Sequence, residues 1–134
     1  MPNKALRIMI ADSEHFHRMK LERLFNQQGY FRIAPVNDME ELLLLVEYGC
    51  EPFDVIVANA RLASGGVALA DFLVDNPQVL HGLIYNVPQA GVSRQVGGRR
   101  SHVQLSQAAL PDPVALACLM ARAEGARISE RARS

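Results

Sequence analysis

The sequence predicts an α/β fold, a three-layer sandwich in which a parallel sheet lies between two layers of helices. Two observations lead to this prediction. Short apolar runs alternate along the chain with longer amphipathic segments, as strands and helices do in successive βα units. The clearest runs are apolar at consecutive positions, which is typical of strands buried on both faces of a parallel sheet. Right-handed crossovers then place helices on both faces of that sheet.

The composition is that of one globular domain. The chain has 134 residues, of which 49% are hydrophobic and 21% charged, and this length suits a single core. Fourteen Lys and Arg residues balance fourteen Asp and Glu residues, so no net field favours nucleic acid or an anionic membrane. We find no signal-peptide pattern and no apolar run of about 18 residues, and expect a cytoplasmic protein without membrane contact.

The two cysteines give no sign of a metal site or a redox motif. Cys50 and Cys118 stand in different predicted elements, without the close spacing that metal ligands need. We expect both to be buried, unreactive thiols.

The first half of the chain contains the clearest elements. Strands are predicted at residues 6–11, 31–36 and 53–58, and helices at 14–28 and 38–48. Several ends carry capping signals. The first helix can be capped by Asp12 or Ser13 and ended by Gly29, and the second has Asp38 and Glu41 at capping-box spacing.

The second half is less regular. A helix is predicted at 67–76 and a strand at 80–87. Residues 88–101 contain three Gly, three Arg and one Pro, so the fourth helix of the pattern is expected to be a mobile loop or a weak, frayed helix. A fifth strand is predicted at 102–107. The last helix begins at Pro113, and its apolar face is predicted to carry Val114, Leu116, Leu119 and Met120.

Five βα units in a chain of this length favour the flavodoxin-like strand order 2-1-3-4-5. In such a sheet, ligands bind beyond the carboxyl ends of the strands, near the switch between strands 1 and 3. That rule points to Asp12, Ser13 and Asn59 as candidate site residues. The folded domain is expected to span residues 1–124, and residues 125–134 form a charged tail that is expected to fray.

Two segments resemble a response-regulator receiver domain, which has a CheY-like (βα)5 fold. They are RIMIADSEHFHRMKLERLFNQQGY near the start and EPFDVIVANARLASGG in the middle. The resemblance covers about residues 6–124 and is weakest after residue 88. Because no output domain follows in the sequence, a stand-alone receiver is expected.

A working receiver takes a phosphoryl group from a histidine kinase onto an aspartate at the end of strand 3. Acidic residues hold a divalent cation beside it, and a hydroxyl and a lysine contact the new phosphate. The resemblance places Asn59 at the acceptor position, Asp12 and Ser13 at the acidic pair, and Asn86 at the hydroxyl position.

The lysine of the family has no counterpart either. Its position falls near Ala109 or Leu110, and the chain has no lysine beyond Lys20. The resemblance therefore implies a degenerate pseudo-receiver that is not an enzyme.

The substitutions also predict how the pocket is filled. An amide oxygen is a poor nucleophile, and removing carboxylates removes the cost of burying like charges together. Asn59 and Ser13 can instead satisfy each other or nearby backbone groups. We expect a pocket closed by hydrogen bonds, without bound Mg²⁺ or any other cofactor.

Polar residues near the first helix allow more than one interpretation. Asp12 could still bind a cation, but capping of the helix is favoured. His15 and His17 are two residues apart and do not share a helix face, so they make a poor metal pair. His17 lies on the apolar face and is predicted to be a hydrogen-bonded core or boundary histidine.

A candidate partner surface lies in the second half of the chain. It consists of Arg94, Arg99 and Arg100 in the Gly-rich loop, together with Arg122 in the last helix. The same loop could bind an anion or nucleic acid, but no aromatic residue follows residue 85, so base stacking is not supported.

The resemblance implies a protein–protein interaction module in two-component signal transduction that acts without phosphorylation. The implied partner is a histidine kinase or another regulator. A homodimer through the last helix is an option, because the small residues Ala115, Ala117 and Ala121 would permit close packing, although they could simply pack on the sheet. The alternative functions are a conventional phosphoacceptor receiver and an anion-binding or nucleic-acid-binding module.

Overall fold

The computed structural model describes residues 5–49, 51–63, 67–88 and 102–133. Within these ranges the chain forms one parallel sheet with the order β2-β1-β3-β4-β5, which confirms the predicted order. The strands are β1 (Ile8–Ala11), β2 (Ile33–Val36), β3 (Val55–Asn59), β4 (Gly82–Tyr85) and β5 (Val103–Leu105). The helices are α1 (His15–Gln27), α2 (Met39–Tyr48), α3 (Val67–Asp75) and α4 (Pro113–Arg133), with a short 3-10 turn at Ala60–Leu62.

The sheet is covered on both faces, as the sandwich requires. Every residue of β1 and β3 is buried, and alternate side chains of these strands enter two separate apolar clusters. One cluster contains Leu21 and Phe25 of α1 with Leu116 of α4. The other contains Leu42 of α2 and Leu73 of α3. Therefore α1 and α4 cover one face, and α2 and α3 cover the other.

The helix ends confirm two of the capping predictions. Gly29 adopts a left-handed conformation, with φ of 97°, directly after α1. The Asp38 side chain accepts the Glu41 N–H at 2.8 Å, and the Glu41 carboxylate accepts the Asn37 N–H at 2.9 Å. This exchange is a variant of the capping box in which the second donor lies one residue earlier.

The predicted cap of α1 is wrong. The helix begins after Glu14, which makes no side-chain capping bond, and neither Asp12 nor Ser13 occupies the cap position. The Asp12 carboxylate instead accepts the Glu14 N–H at 2.9 Å, two residues along the chain, in an Asx turn. The rest of that carboxylate is turned inwards to the strand ends, where other donors hold it.

The buried face of α4 differs from the prediction at one end. Val114 is 70% exposed, and the buried positions are Leu116, Leu119, Met120 and Ala123, at the spacing of a single helix face. Cys118 lies off that face and is exposed, so the prediction that it is buried is wrong.

The same helix extends further than expected. It continues to Arg133, because the residues after Gly125 are mostly Ala, Arg and Glu, which are strong helix formers. Ala115, Ala117 and Ala121 are exposed, so they do not pack on the sheet.

The predicted loop between β4 and β5 lies almost entirely outside the described residues. This holds for Arg94, Arg99 and Arg100, and also for Cys50. In the part of the chain that the structure describes, no helix is long and apolar enough to cross a membrane.

Candidate functional site

The carboxyl ends of β1, β3 and β4 bring three polar side chains together. Asp12 directly follows β1, and Asn59 and Tyr85 are the last residues of their strands, paired in register across the sheet. Since side chains alternate between faces, these positions fall on the same face of the sheet, the one that α1 covers. The resulting cleft includes two of the residues that the strand-end rule selects.

Asp12 is the centre of this site, and its carboxylate is fully buried. Its Oδ2 accepts hydrogen bonds from the Tyr85 hydroxyl at 2.5 Å and the Asn59 amide at 3.1 Å. The His17 Nδ1 lies 3.0 Å from the same oxygen, and Oδ1 accepts the Glu14 N–H. Both oxygens are therefore occupied by donors from four different residues.

These contacts hold Asp12 in its ionised form. Burial alone acts to raise the pKa of Asp12, but the hydrogen bonds from Tyr85, the Glu14 backbone, Asn59 and His17 outweigh it. The pKa of Asp12 consequently lies below the ordinary carboxyl value of 3.8. Burial, followed by the bond to Asp12, raises the pKa of Tyr85 well above its usual value, so the phenol remains a donor.

Asn59 uses both ends of its side-chain amide. The NH₂ group donates to Asp12, and Oδ1 accepts the Arg61 N–H at 2.9 Å, where the 3-10 turn begins. The Asn86 amide lies 3.3 Å from the same Oδ1. These bonds fix the orientation of the amide, because the opposite orientation would set its oxygen against the Asp12 carboxylate.

Asn86 follows β4 in a left-handed conformation, with φ of 61°. Its N–H donates to the Ala108 carbonyl at 2.8 Å, which ties the end of β4 to the segment after β5. Asn is one of the few residues other than Gly that adopts this conformation readily. At the position that the resemblance assigns to the hydroxyl, the chain therefore has an amide on a constrained backbone.

His17 lies between two carboxylates. Its Nδ1 contacts Asp12, and its Nε2 is 3.0 Å from Oε2 of Glu14. The ring thus links the turn after β1 to the first residues of α1 through its two nitrogens. With 28% of its side chain exposed, His17 is the hydrogen-bonded boundary residue that the sequence predicts.

The Arg18 guanidinium supports the turn after β1. Nη1 of Arg18 donates to the Asp12 carbonyl at 2.6 Å and also lies 3.1 Å from Oδ1 of Asn37. It joins the loop after β1 to the loop after β2.

The donor set does not fit the divalent cation that the resemblance implies for a working receiver, such as Mg²⁺. Mg²⁺ needs oxygen ligands in near-octahedral geometry, with free lone pairs directed at the ion. Here the oxygens of Asp12 and Asn59 already accept hydrogen bonds, and Ser13 is exposed and does not join the network. The ligand atoms of Asp12, Glu14 and His17 do lie within 4.8 Å of one another, but each ring nitrogen of His17 already lies 3.0 Å from one of the two carboxylates.

An open cavity of about 240 Å³ lies beside this network. Its lining residues are Ala60, Arg61, Asn86, Val87 and Pro88. Arg61 is exposed and is the charged residue of that lining, so a cation borders the cavity.

The other predicted residues lie further from the cleft. Ala109 is exposed in the segment before α4 and has no polar side chain to contribute. Arg122 is exposed on α4. Sequence reasoning missed Tyr85, whose signal was its place at the end of a strand beside β3.

Solved structures share this fold. One is a protein from Burkholderia thailandensis assigned to pilus assembly, CpaE, with 19% identity and a TM-score of 0.65 over 90% of this chain and 98% of that chain. Another is a Burkholderia pseudomallei response regulator with a phosphorylated aspartic acid, a calcium ion and citrate, with 20% identity and a TM-score of 0.64 over 96% of this chain and 75% of that chain. Full-length FixJ from B. japonicum has 19% identity and a TM-score of 0.65, over 96% of this chain and 64% of that chain.

These similarities show that the chain has the CheY-like receiver fold of response regulators. No protein-family model and no curated protein sequence matches the chain.

Proposed function

We propose that the protein is a receiver-fold interaction module of two-component signalling that works without phosphorylation and without catalysis. The observation that carries the proposal is the hydrogen bond from Asn59 to Asp12, 3.1 Å long and buried. Its donor, Asn59, stands at the position where the resemblance calls for an ionised acceptor carboxylate.

Phosphoryl transfer needs an oxygen nucleophile and cations that offset the charge of the transferred group. The carboxamide of Asn59 is neutral, and its oxygen is engaged by the Arg61 N–H. The chain has no lysine beyond Lys20, so no ammonium group is available from any later element. The His17 ring beside this position contacts the carboxylates of Asp12 and Glu14.

The fold supports a signalling role, since receiver domains of response regulators share it. The response regulator from Burkholderia pseudomallei carries a phosphorylated aspartic acid, whereas the resemblance places an asparagine at the acceptor position of this chain. A fold that keeps its core and lacks its reactive groups can still present surfaces, and we infer that its action is binding to a protein partner.

The test is phosphorylation by a small-molecule donor. The full chain is incubated with acetyl phosphate and Mg²⁺ and examined by intact mass spectrometry, with a conventional phosphoacceptor receiver in the same reaction as the control. We expect the control to gain a phosphoryl group and this chain to remain unmodified. Covalent phosphate on an aspartate of this chain would overturn the proposal.

A further inference from the structure

The solvent side of α2 carries an apolar ridge that the core does not use. The helix packs on the sheet through Leu42 and Val46, which are fully buried or nearly so. Leu44, Leu45 and Tyr48 remain 52%, 38% and 77% exposed. Tyr48 lies four residues after Leu44 and three after Leu45, so the three side chains are neighbours on the helix surface. Together they form one contiguous ridge, the α2 ridge. Scattered exposed apolar residues are ordinary, but a contiguous group points to an interaction site.

Acidic side chains flank this ridge. Glu40, Glu41 and Glu47 are exposed on the same helix, which contains no Lys or Arg. Beyond its end, Glu51 is exposed and lies 4.0 Å from Arg32, which is half-exposed. At the start of the helix, Nη1 of Arg18 donates to Oδ1 of Asn37 and to the Asp12 carbonyl. The charged residues on the helix beside the α2 ridge are therefore all acidic, whereas Arg7, Arg18 and Arg32 lie near its two ends.

We propose that the α2 ridge is a docking site for an amphipathic helix of another protein, one with apolar anchors flanked by Lys or Arg. The proposal deepens the proposed function and rests on it, since it names the surface through which the module binds. Side chains at i, i+3 and i+4 form the ridges by which helices pack against each other, which favours a helical partner.

Charge complementarity selects the occupant. A symmetric dimer through the α2 ridge would bring Glu40, Glu41 and Glu47 of one copy against the same residues of the other, and like charges across an interface oppose association. A partner with Lys or Arg beside its apolar anchors would bury apolar surface and also attract the glutamates. Added salt screens this attraction and should slow association.

The test uses synthetic helical peptides and the full chain. One peptide has Leu at positions i, i+3, i+4 and i+7 with Lys between them; a second has Glu in place of Lys. Binding is followed by amide chemical shifts and by calorimetry. We expect the Leu–Lys peptide to give saturable shifts centred on residues 40–48, and the Leu–Glu peptide to bind about tenfold more weakly or not at all, since tenfold corresponds to roughly one favourable charge contact.

Variants locate the site. Leu44→Gln/Tyr48→Gln should lower the affinity about tenfold, because the two most exposed anchors are lost while Gln keeps a good helix propensity. The matched control is Phe16→Gln/Met19→Gln on α1, two residues that are 71% and 48% exposed on the opposite face of the sheet. This control should bind as the wild type does.

A charge variant tests the acidic flank separately. Glu40→Gln/Glu47→Gln should weaken binding of the Leu–Lys peptide and reduce its dependence on salt. Glu41 is left unchanged because its carboxylate accepts the Asn37 N–H.

Three results would overturn the proposal: equal affinity for the two peptides, shifts centred outside α2, or equal losses in the α1 and α2 variants. Self-association of the chain that the α2 variant abolishes would also overturn it, in favour of a second copy as the occupant. Labelling by acetyl phosphate reports on Asn59 and not on α2, so a failure of this docking site is distinguishable from a failure of the proposed function.

Discussion

Asn59 donates a buried hydrogen bond to Asp12, with 3.1 Å between its Nδ2 and Oδ2 of the carboxylate. Asp12 directly follows β1, and Asn59 ends the adjacent strand β3. Both residues therefore lie at the edge of the sheet where receivers hold their acidic residues. Under the proposed function, the Asn59 amide is a donor at the position where a receiver has a carboxylate. Two carboxylates at this place would repel each other unless a cation offset their charge, whereas the Asn59 amide attracts the Asp12 carboxylate without a cation.

Restoring the acceptor carboxylate tests this relationship. Asn59→Asp sets a second carboxylate beside Asp12 and removes a donor from it, so we expect the free energy of unfolding to fall by about 2–4 kcal/mol at neutral pH. Mg²⁺ should recover part of that loss, because two carboxylates can share a divalent cation. Urea unfolding with and without MgCl₂ measures both effects.

Asn59→Ala is the control for the restored carboxylate. It removes the same donor without adding charge, and we expect a smaller loss and no response to Mg²⁺. If wild type, Asn59→Ala and Asn59→Asp were all stabilised equally by Mg²⁺, the ion would bind elsewhere and this interpretation would be wrong.

Tyr85 is predicted to stabilise the fold through its hydroxyl. Tyr85→Phe keeps the ring in the core but leaves Oδ2 of Asp12 without one of its donors. We expect a loss of about 1.5–3 kcal/mol, the usual range for a hydrogen bond to a charged group. Tyr48→Phe, at a residue that is 77% exposed, should change nothing measurable by the same denaturant titration. Equal effects of the two substitutions would argue against the role of the buried bond.

The lowered pKa of Asp12 makes the stability of the folded protein fall at acidic pH. A carboxyl whose pKa is lower in the folded state contributes stability that is present above its ordinary value of 3.8 and is lost as the pH falls through the lowered value. Asp12→Asn is expected to be less stable than the wild type at neutral pH, and the difference should narrow in acid. Thermal unfolding of both proteins from neutral pH to below pH 3.8 measures this difference in stability. The difference should stay constant if Asp12 were not ionised in the folded protein.

Asn86 combines a backbone constraint with a position in the cleft. Because its φ is 61°, Asn86→Gly should be tolerated, whereas Asn86→Ala should cost about 1–2 kcal/mol. Asn86→Thr, which restores the hydroxyl of the family, should cost at least as much as Ala because a β-branched residue is strained there. Chemical denaturation of the three variants gives the order. A Thr variant as stable as the Gly variant would show that the backbone imposes no such limit.

The fold was predictable because its signals are local. Continuous apolar runs such as Val55–Asn59 and caps such as Asp38 each specify one element, and the strand order follows from their alternation. The meeting of Asp12 with Asn59 was also predictable, since the strand-end rule concerns which residues end adjacent strands.

The other contacts depend on the direction in which single side chains point, which the hydrophobic pattern of the sequence does not determine. Tyr85 contacts Asp12 directly, whereas Asn86, which leaves the strand in a left-handed conformation, contacts Asn59 instead. On α4, the buried face runs from Leu116 to Ala123, and Val114 and Cys118 lie outside it. The turn of the Asp12 carboxylate into the cleft, rather than onto the end of α1, depends on donors from distant parts of the chain.

The central claim is that the pair formed by Asp12 and Asn59 replaces the cation and the phosphoacceptor of a receiver. It is tested most directly by following the backbone amides of residues 12 and 59 by NMR while Mg²⁺ and beryllofluoride, a phosphoryl mimic, are added. We predict that these amides show no saturable shift at millimolar Mg²⁺, with or without beryllofluoride. Saturable shifts centred on the two residues would contradict the account.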